Sequence, residues 1–383
     1  MKKSLIALAL GTLALGITEF VMMGILPDVA ASLDVSIPAA GRLISAYALG
    51  VCCGAPMLTV AHHYPPKRIL LFLGCLMLAG AVLSSLSAGY GMLMCARFIS
   101  GLPHGAYFGV ASIVAVRLAD EGHKTSAVSI MIAGMTVANL LGVPLGTALS
   151  ASISWRCPFV LTALCSVLVL YYIWRWVPEV EALPDGSFRS QFRFLRKPAP
   201  WLILGATMLG NGSVFCWYSY VTPQLTLEGG FAPAVVPALM IAAGFGMVAG
   251  NLVSGRLSDR FTPGRVAGCT QAVLVVALLV TFGLARCGWV SAALMVVCTA
   301  CLFAVSSPLQ FLILKHAPGG EMLGGASIQM AFNMGNAVGA LVGAVPIEMG
   351  LDYRYPSLFA VPMAAAGLVC MAVFCRRYEH KED

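Results

Sequence analysis

Charge is scarce in this sequence: only 10% of its 383 residues are Asp, Glu, Lys or Arg, against 59% hydrophobic residues. A chain so poor in polar surface cannot coat an aqueous globule, and a mean hydropathy of +0.88 makes lipid its solvent. Histidine is scarce too, at six. No paired His and Asp and no nucleophile beside a base stands out, which leaves a membrane-embedded enzyme or receptor as a remote alternative and predicts neither a metal nor an organic cofactor. Cysteine is plentiful, but its thirteen copies fall mostly inside apolar segments and read as small packing residues, not as a disulfide framework.

What is present is apolar length. Crossing about 30 Å of hydrocarbon takes about 20 apolar residues at about 1.5 Å each. Segments of that kind are predicted at 4–26, 39–60, 69–88, 91–117, 125–149, 157–177, 200–222, 235–256, 266–285, 289–314, 322–346 and 356–375. The implied fold class is an all-α membrane protein, twelve transmembrane helices in two pseudo-symmetric six-helix bundles. One long polar connection, carrying Glu179, Glu181, Asp185, Arg189, Arg193, Arg196 and Lys197, stands at the midpoint. It predicts a bundle over 1–177, a cytoplasmic linker over 178–199 and a second bundle with a short tail over 200–383. The first apolar run follows Lys2 and Lys3 but is longer than a secretory signal core and contains Glu19, so it reads as a retained helix.

The chain also repeats itself. Asn139, Gly142 and Gly146 recur 197 positions later as Asn336, Gly339 and Gly343, and Trp155, Arg156 and Pro158 return slightly displaced as Tyr353, Arg354 and Pro356. In so apolar a chain, two related halves imply a duplicated bundle with a working site at the seam, the design of a transporter. Basic residues set its orientation: with the N-terminus inside, Lys67, Arg68, Arg117, Lys124, Arg175, Arg256, Arg260, Arg265, Lys315, Arg376 and Arg377 all fall at the inner face, while Arg156, Arg286 and Arg354 are alone outside. Both termini are therefore predicted to be cytoplasmic. The net charge of +7 is then topological bias spread over many short loops, so no nucleic-acid partner is expected. The expected partners are a small-molecule substrate and membrane lipid, with the chain a monomer.

A charge at membrane depth costs about 2.5 to 3.5 kcal/mol even on lenient scales and points to function. Glu19 lies eight residues before Pro27 in the first span, and Arg97 six residues after Gly91 in the fourth, which runs the opposite way. At about 1.5 Å per residue both sit roughly 9 to 12 Å below the outer surface, a placement that lets them pair. Arg97, Gly101, Gly105 and Gly109 recur every four residues and form one stripe where a neighbouring helix approaches closely. His104 lies two turns deeper on nearly that stripe and is either a proton carrier or a hydrogen-bonded packing residue. Burial opposes ionisation of a carboxyl and a guanidinium supports it, so Glu19 is expected to take and release a proton as access alternates. The alternative is a structural pair that only fixes packing. Arg42, a turn into the second span, reads as an interfacial residue reaching for water.

Asn139, Gly142, Pro144 and Gly146 would make a poor soluble helix, but between membrane helices they permit close contact and a bend. Gly255, Leu257, Asp259, Arg260, Gly264 and Arg265 read as a tight charged turn at the inner face.

These segments carry a resemblance. Arg97-Phe-Ile-Ser-Gly101 resembles the RxxxG signature of the fourth helix in the major facilitator superfamily. Gly142-Val-Pro144-Leu-Gly146 resembles the antiporter motif of the fifth, with a residue inserted where Gly-Pro is usual. Gly255 to Arg265 is similar to the superfamily's GxLxDRxGR loop, whereas the first-half counterpart, Ala61 to Arg68, lacks the Asp. Pro103-His-Gly-Ala106, Tyr47-Ala-Leu-Gly50 and the stretch Gly134 to Gly142 are similar to the arabinose efflux permease group of the drug:proton antiporter branch. The resemblance implies proton-driven export from the cytoplasm across a bacterial inner membrane, with Glu19 and Arg97 in coupling. It also implies that the first, fourth, seventh and tenth helices line a pathway closed by the fifth, eighth and eleventh. Asn211, Phe215, Trp217, Tyr218, Ser307, Gln310, Asn333 and Asn336 are then candidates to line the cavity. Amides beside aromatics suit a neutral sugar and an amphipathic drug alike. A facilitator or proton symporter for a small neutral solute is the second reading.

Overall fold

The computed structural model describes residues 2–35, 37–61, 63–181 and 191–379. Among these residues twelve helices are long and apolar enough to cross a membrane. They are α1 Lys3–Ser32, α2 Ala39–Leu58, α3 Pro66–Ser85, α4 Tyr90–Arg117, α5 Lys124–Ser152, α6 Cys157–Trp176, α7 Pro198–Tyr218, α8 Val236–Arg260, α9 Pro263–Leu284, α10 Gly288–His316, α11 Glu321–Glu348 and α12 Tyr355–Glu379. Six of them, α3, α6, α7, α8, α9 and α12, open with a proline at the first or second position, where the missing N–H would have had no helical partner.

The first helix departs from its expected length. It does not stop near Pro27 but continues to Ser32. The hydrogen bond that Pro27 cannot make would go to the carbonyl of Met23, and Met23 and Pro27 both lie on an exposed face, so losing it leaves no polar group enclosed. In α5, a π-turn over Ala138–Gly142 immediately precedes the stretch holding Pro144. The proline ring crowds the carbonyl four residues back, and the wider turn absorbs that crowding.

Two compact units emerge: residues 1–194 with 317–330, and residues 195–316 with 331–383. In the first, α1 packs on α5 and α6, α2 on α4, and α3 on α4 and α6; in the second, α7 packs on α12, α8 on α10, and α9 on α12. Glycines set these contacts. A Cβ at Gly50 or Gly54 of α2 would run into the carbonyls of Phe98 and Leu102 in α4, and one at Gly246 or Gly250 of α8 into those of Val296 and Ala300 in α10. The repeat visible in the sequence is thus a repeat of helix contacts: Gly142 and Gly146 lie on Ile17 and Val21 of α1, and Gly339 and Gly343 on Gly212 and Cys216 of α7. Small residues are what let helices meet closely when no aqueous hydrophobic effect drives them together.

The opening turns of α11 belong with the first unit because the stripe on α4 admits them: Gly109 lies against Met322 and Ala326. The central polar segment falls partly on residues 182–190, including Pro184, Asp185 and Arg189, which lie outside the described residues. The thirteen cysteines are free. They include a CxxC run, Cys298-Thr-Ala-Cys301, whose two thiols are buried on α10.

Candidate functional site

In the first unit three helices bring ionisable groups together. Helix α1 supplies Thr18 and Glu19, α2 supplies Leu43 and Tyr47, and α4 supplies Arg97 and His104. Close approach of α2 and α4 is possible because Gly101 presents only hydrogen to the Tyr47 carbonyl and the Val51 amide. Close approach of α1 and α5 follows from Gly134, which lies against the Ala9 carbonyl and the Thr12 hydroxyl. Glu19 is 5% exposed, and Arg97 and His104 are 0% exposed. All three charge-bearing side chains thus face protein, as the glycine stripe requires.

The pairing differs from the expected one. Arg97 and Glu19 interact electrostatically, but no hydrogen bond joins them among the described contacts. The arginine Nη1 donates to the Thr18 carbonyl at 2.7 Å and its Nε to the Leu43 carbonyl at 3.4 Å, while Cζ lies 4.5 Å from the centre of the Tyr47 ring. The Glu19 carboxyl also approaches His104, with Oε2 3.8 Å from Nε2. The Arg97 donor on the Thr18 carbonyl puts the guanidinium level with Glu19, as the sequence expects, but the hydrogen bonds of the arginine go to main chain.

His104 is held on three sides. Its Nδ1 shares a hydrogen bond of 2.6 Å with the Tyr47 hydroxyl, its ring stacks on Phe108 at 5.3 Å and 14°, and Gln329 of α11 also reaches the imidazole. With an oxygen of the Glu19 carboxyl facing Nε2, the consistent tautomer has the Tyr47 hydroxyl donating to Nδ1 and the ring proton on Nε2. Tyr47 therefore touches both Arg97 and His104, one through its ring face and one through its oxygen. Sequence reasoning passed over it, because one tyrosine in an apolar helix carries no signal until its neighbours are known. Glu19 Oε2 and Arg97 Nη2 are buried without a hydrogen-bond partner. Buried polar groups left so are rare, cost about 1–3 kcal/mol each, and gather where function needs partners to change.

In the second unit, Phe215 of α7 meets Phe332 of α11 edge-on at 5.9 Å and Tyr218 at 6.4 Å. Asn211, one turn before Phe215, is buried with its Oδ1 unpaired. Ser307 donates to Asn251 Oδ1 of α8 at 2.6 Å, Gln310 and Asn333 are buried, and Asn336 is half-buried. Trp217 is enclosed and its indole N–H is committed to Gln224. The structure thus gathers Phe215, Tyr218 and Phe332 into one aromatic group and joins Trp217 to it only through the Tyr218 ring, at 6.0 Å.

The motif residues are spread over several places. Asn139 lies in the π-turn of α5 and donates to the Met135 carbonyl at 3.1 Å; Gly142 and Gly146 are buried against α1, while Pro144 is exposed. Gly255 is buried, Asp259 half-buried, and Arg260 and Arg265 exposed, with Arg260 beside the Phe261 ring at 5.7 Å. A partner missed from sequence is Glu379, whose Oε1 accepts the Gly264 N–H at 2.7 Å and so caps the start of α9 from the last turn of α12. Arg42 is exposed, consistent with an interfacial role.

Two helical units that repeat one glycine packing scheme, the first enclosing a carboxyl, an imidazole and a guanidinium at membrane depth, define a multi-pass membrane transporter. The chain belongs to the Major Facilitator Superfamily, whose model matches residues 8–328. It is 46% identical over 377 residues to AraJ of Escherichia coli (strain K12), a match spanning 98% of this chain and 96% of that one. It is 38% identical over 372 residues to the inner membrane transport protein YdhP of the same strain, spanning 97% and 95%. Among solved structures, FucP, a superfamily transporter in the outward conformation, matches with a TM-score of 0.77 over 97% of this chain and 98% of that one, at 16% identity. The superfamily resemblance read from the motifs is borne out, and the remote enzyme reading falls away.

Proposed function

We propose that this transporter exports a small molecule, a sugar or an amphipathic drug-like compound, across a bacterial inner membrane in exchange for protons, with both termini in the cytoplasm and the chain working as a monomer. The observation that carries the reading is the buried approach of Glu19 Oε2 to His104 Nε2 at 3.8 Å. A proton taken up by this pair changes the charge of an enclosed cluster by one. It thereby changes the free energy of exposing that cluster to one aqueous side or the other, which is what exchange requires. The aromatic group around Phe215, with the Asn211 amide one turn away, offers flat apolar faces and a polar edge to such a cargo. The name of YdhP supports the location.

The test begins with a thermal-shift screen of the purified protein against sugars and amphipathic drugs. A compound that stabilises the protein is then added to inverted vesicles holding a pH gradient. Exchange predicts that the gradient runs down on addition, and that Glu19→Gln removes this response while the protein still inserts and binds. Active export by Glu19→Gln at the normal rate refutes the coupling role, and passage of cargo with no change in the gradient identifies a facilitator.

A further inference from the structure

We propose that the groove between the start of α7 and the end of α12 binds an anionic phospholipid. The groove has a volume of about 450 Å³ and is lined by Arg196, Lys197 and Arg377 together with Trp201, Leu202 and Val373. Helix α7 begins at Pro198 and α12 ends at Glu379, and the two pack side by side, so these residues stand at one face of the membrane where headgroups lie. The three cations are exposed, and among the described residues no carboxylate pairs with any of them. The nearest acid in sequence, Glu379, has its Oε1 on the Gly264 N–H. Three like charges held together with no counter-ion among the described residues repel one another, and a phosphate diester would relieve that repulsion while accepting hydrogen bonds from both guanidinium groups.

The apolar side of the groove selects a lipid over a free anion. Trp201 is 58% exposed, yet its indole N–H is tied to the Leu195 carbonyl at 2.6 Å. Its polar edge is satisfied by protein, and its ring stands fixed at the rim as interfacial tryptophans do. Leu202 and Val373 continue the wall on the bilayer side of the cations. A free phosphate would use the cations and leave this wall idle; a glycerophospholipid uses both, with the phosphate on Arg196, Lys197 and Arg377 and the glycerol and upper acyl chain along Trp201, Leu202 and Val373.

Native mass spectrometry of the detergent-purified protein tests this, titrating phosphatidylglycerol, phosphatidylcholine and inorganic phosphate separately. Phosphatidylglycerol should bind and phosphatidylcholine should not, and excess inorganic phosphate should fail to displace the bound lipid. A surface cation contributes about fivefold to such binding, so the triple variant Arg196→Gln, Lys197→Gln, Arg377→Gln should bind phosphatidylglycerol roughly 100-fold more weakly. Arg196→Lys with Arg377→Lys should retain most of it, which separates loss of charge from loss of fold. Arg286→Gln should change nothing, because Arg286 is already engaged with Glu228 and Asp352 at 3.4 Å each. Unchanged affinity in the triple variant, equal binding of phosphatidylcholine, or displacement by inorganic phosphate would each overturn the proposal. The site does not depend on the direction of transport.

Discussion

Replacing Tyr47 by Phe removes one oxygen and leaves the ring in place under the Arg97 guanidinium, 4.5 Å away. What is lost is the hydrogen bond of 2.6 Å to His104 Nδ1. Both partners are fully enclosed, with Tyr47 at 1% and His104 at 0% exposure, so no water replaces the missing donor. An acceptor stranded in this way costs about 1–3 kcal/mol. Part of that cost should appear as a lower melting temperature. If the bond keeps the ring proton on Nε2, opposite Glu19, losing it also frees the imidazole to carry its proton on Nδ1, where the carboxyl does not reach. A penalty of about 1–3 kcal/mol on the proton step slows it about 5- to 150-fold. The assay is the rate at which cargo runs down a pH gradient in inverted vesicles, measured over several pH values alongside the melting temperature. A Tyr47→Phe protein that exchanges at the wild-type rate at every pH would show that Tyr47 only packs and that the tautomer argument is wrong.

Two further outcomes follow from packing at the helix contacts. Gly339→Ala should destabilise the second unit by more than Gly142→Ala destabilises the first. The new methyl meets the Gly212 backbone in one case and the Cγ1–Cδ1 arm of the Ile17 side chain in the other, and only a side chain can move aside within the roughly 1–3 kcal/mol that overpacking costs. Thermal melts of the two variants should keep that order, with Gly283→Ala as an uncrowded helical reference because nothing lies within 4 Å of its added carbon. Glu379→Ala should cost about 1 kcal/mol by uncapping α9. Faster hydrogen exchange at Gly264 is the local measure, and unchanged exchange there would mean the cap contributes nothing.

The spans were legible because lipid thickness leaves a chain little choice: an apolar stretch of the right length must be a helix. The repeat was legible for a related reason, since glycine is irreplaceable where a helix meets a backbone carbonyl, as Gly339 meets Gly212. Where the Arg97 hydrogen bonds would go was not legible. Arg97 stands level with Glu19 as expected, yet its donors go to the Thr18 and Leu43 carbonyls, and Pro27, which looks like a helix end in the sequence, lies on an exposed face that lets α1 run on to Ser32. Tyr47 and Glu379 were invisible for another reason. Each acts through a residue distant in sequence, Tyr47 on His104 and Glu379 on Gly264, and spacing along one helix says nothing about what another helix sets opposite it. The π-turn at Ala138–Gly142 depends on how backbone bonds rearrange ahead of Pro144, which composition does not encode.

Arg97 grips main chain where a carboxylate was anticipated. The atoms that receive its two hydrogen bonds are the oxygens of Thr18 and Leu43, which every amino acid at those positions would offer equally. The hydrogen bonds that tie the fourth helix to the first and second are therefore independent of side-chain identity at 18 and 43, so long as the helical path and the packing of these buried positions are kept. Substitutions of similar size and polarity at both buried sites should retain the clasp, whereas lysine at 97, with no planar fork to reach two oxygens on different helices, should lose it.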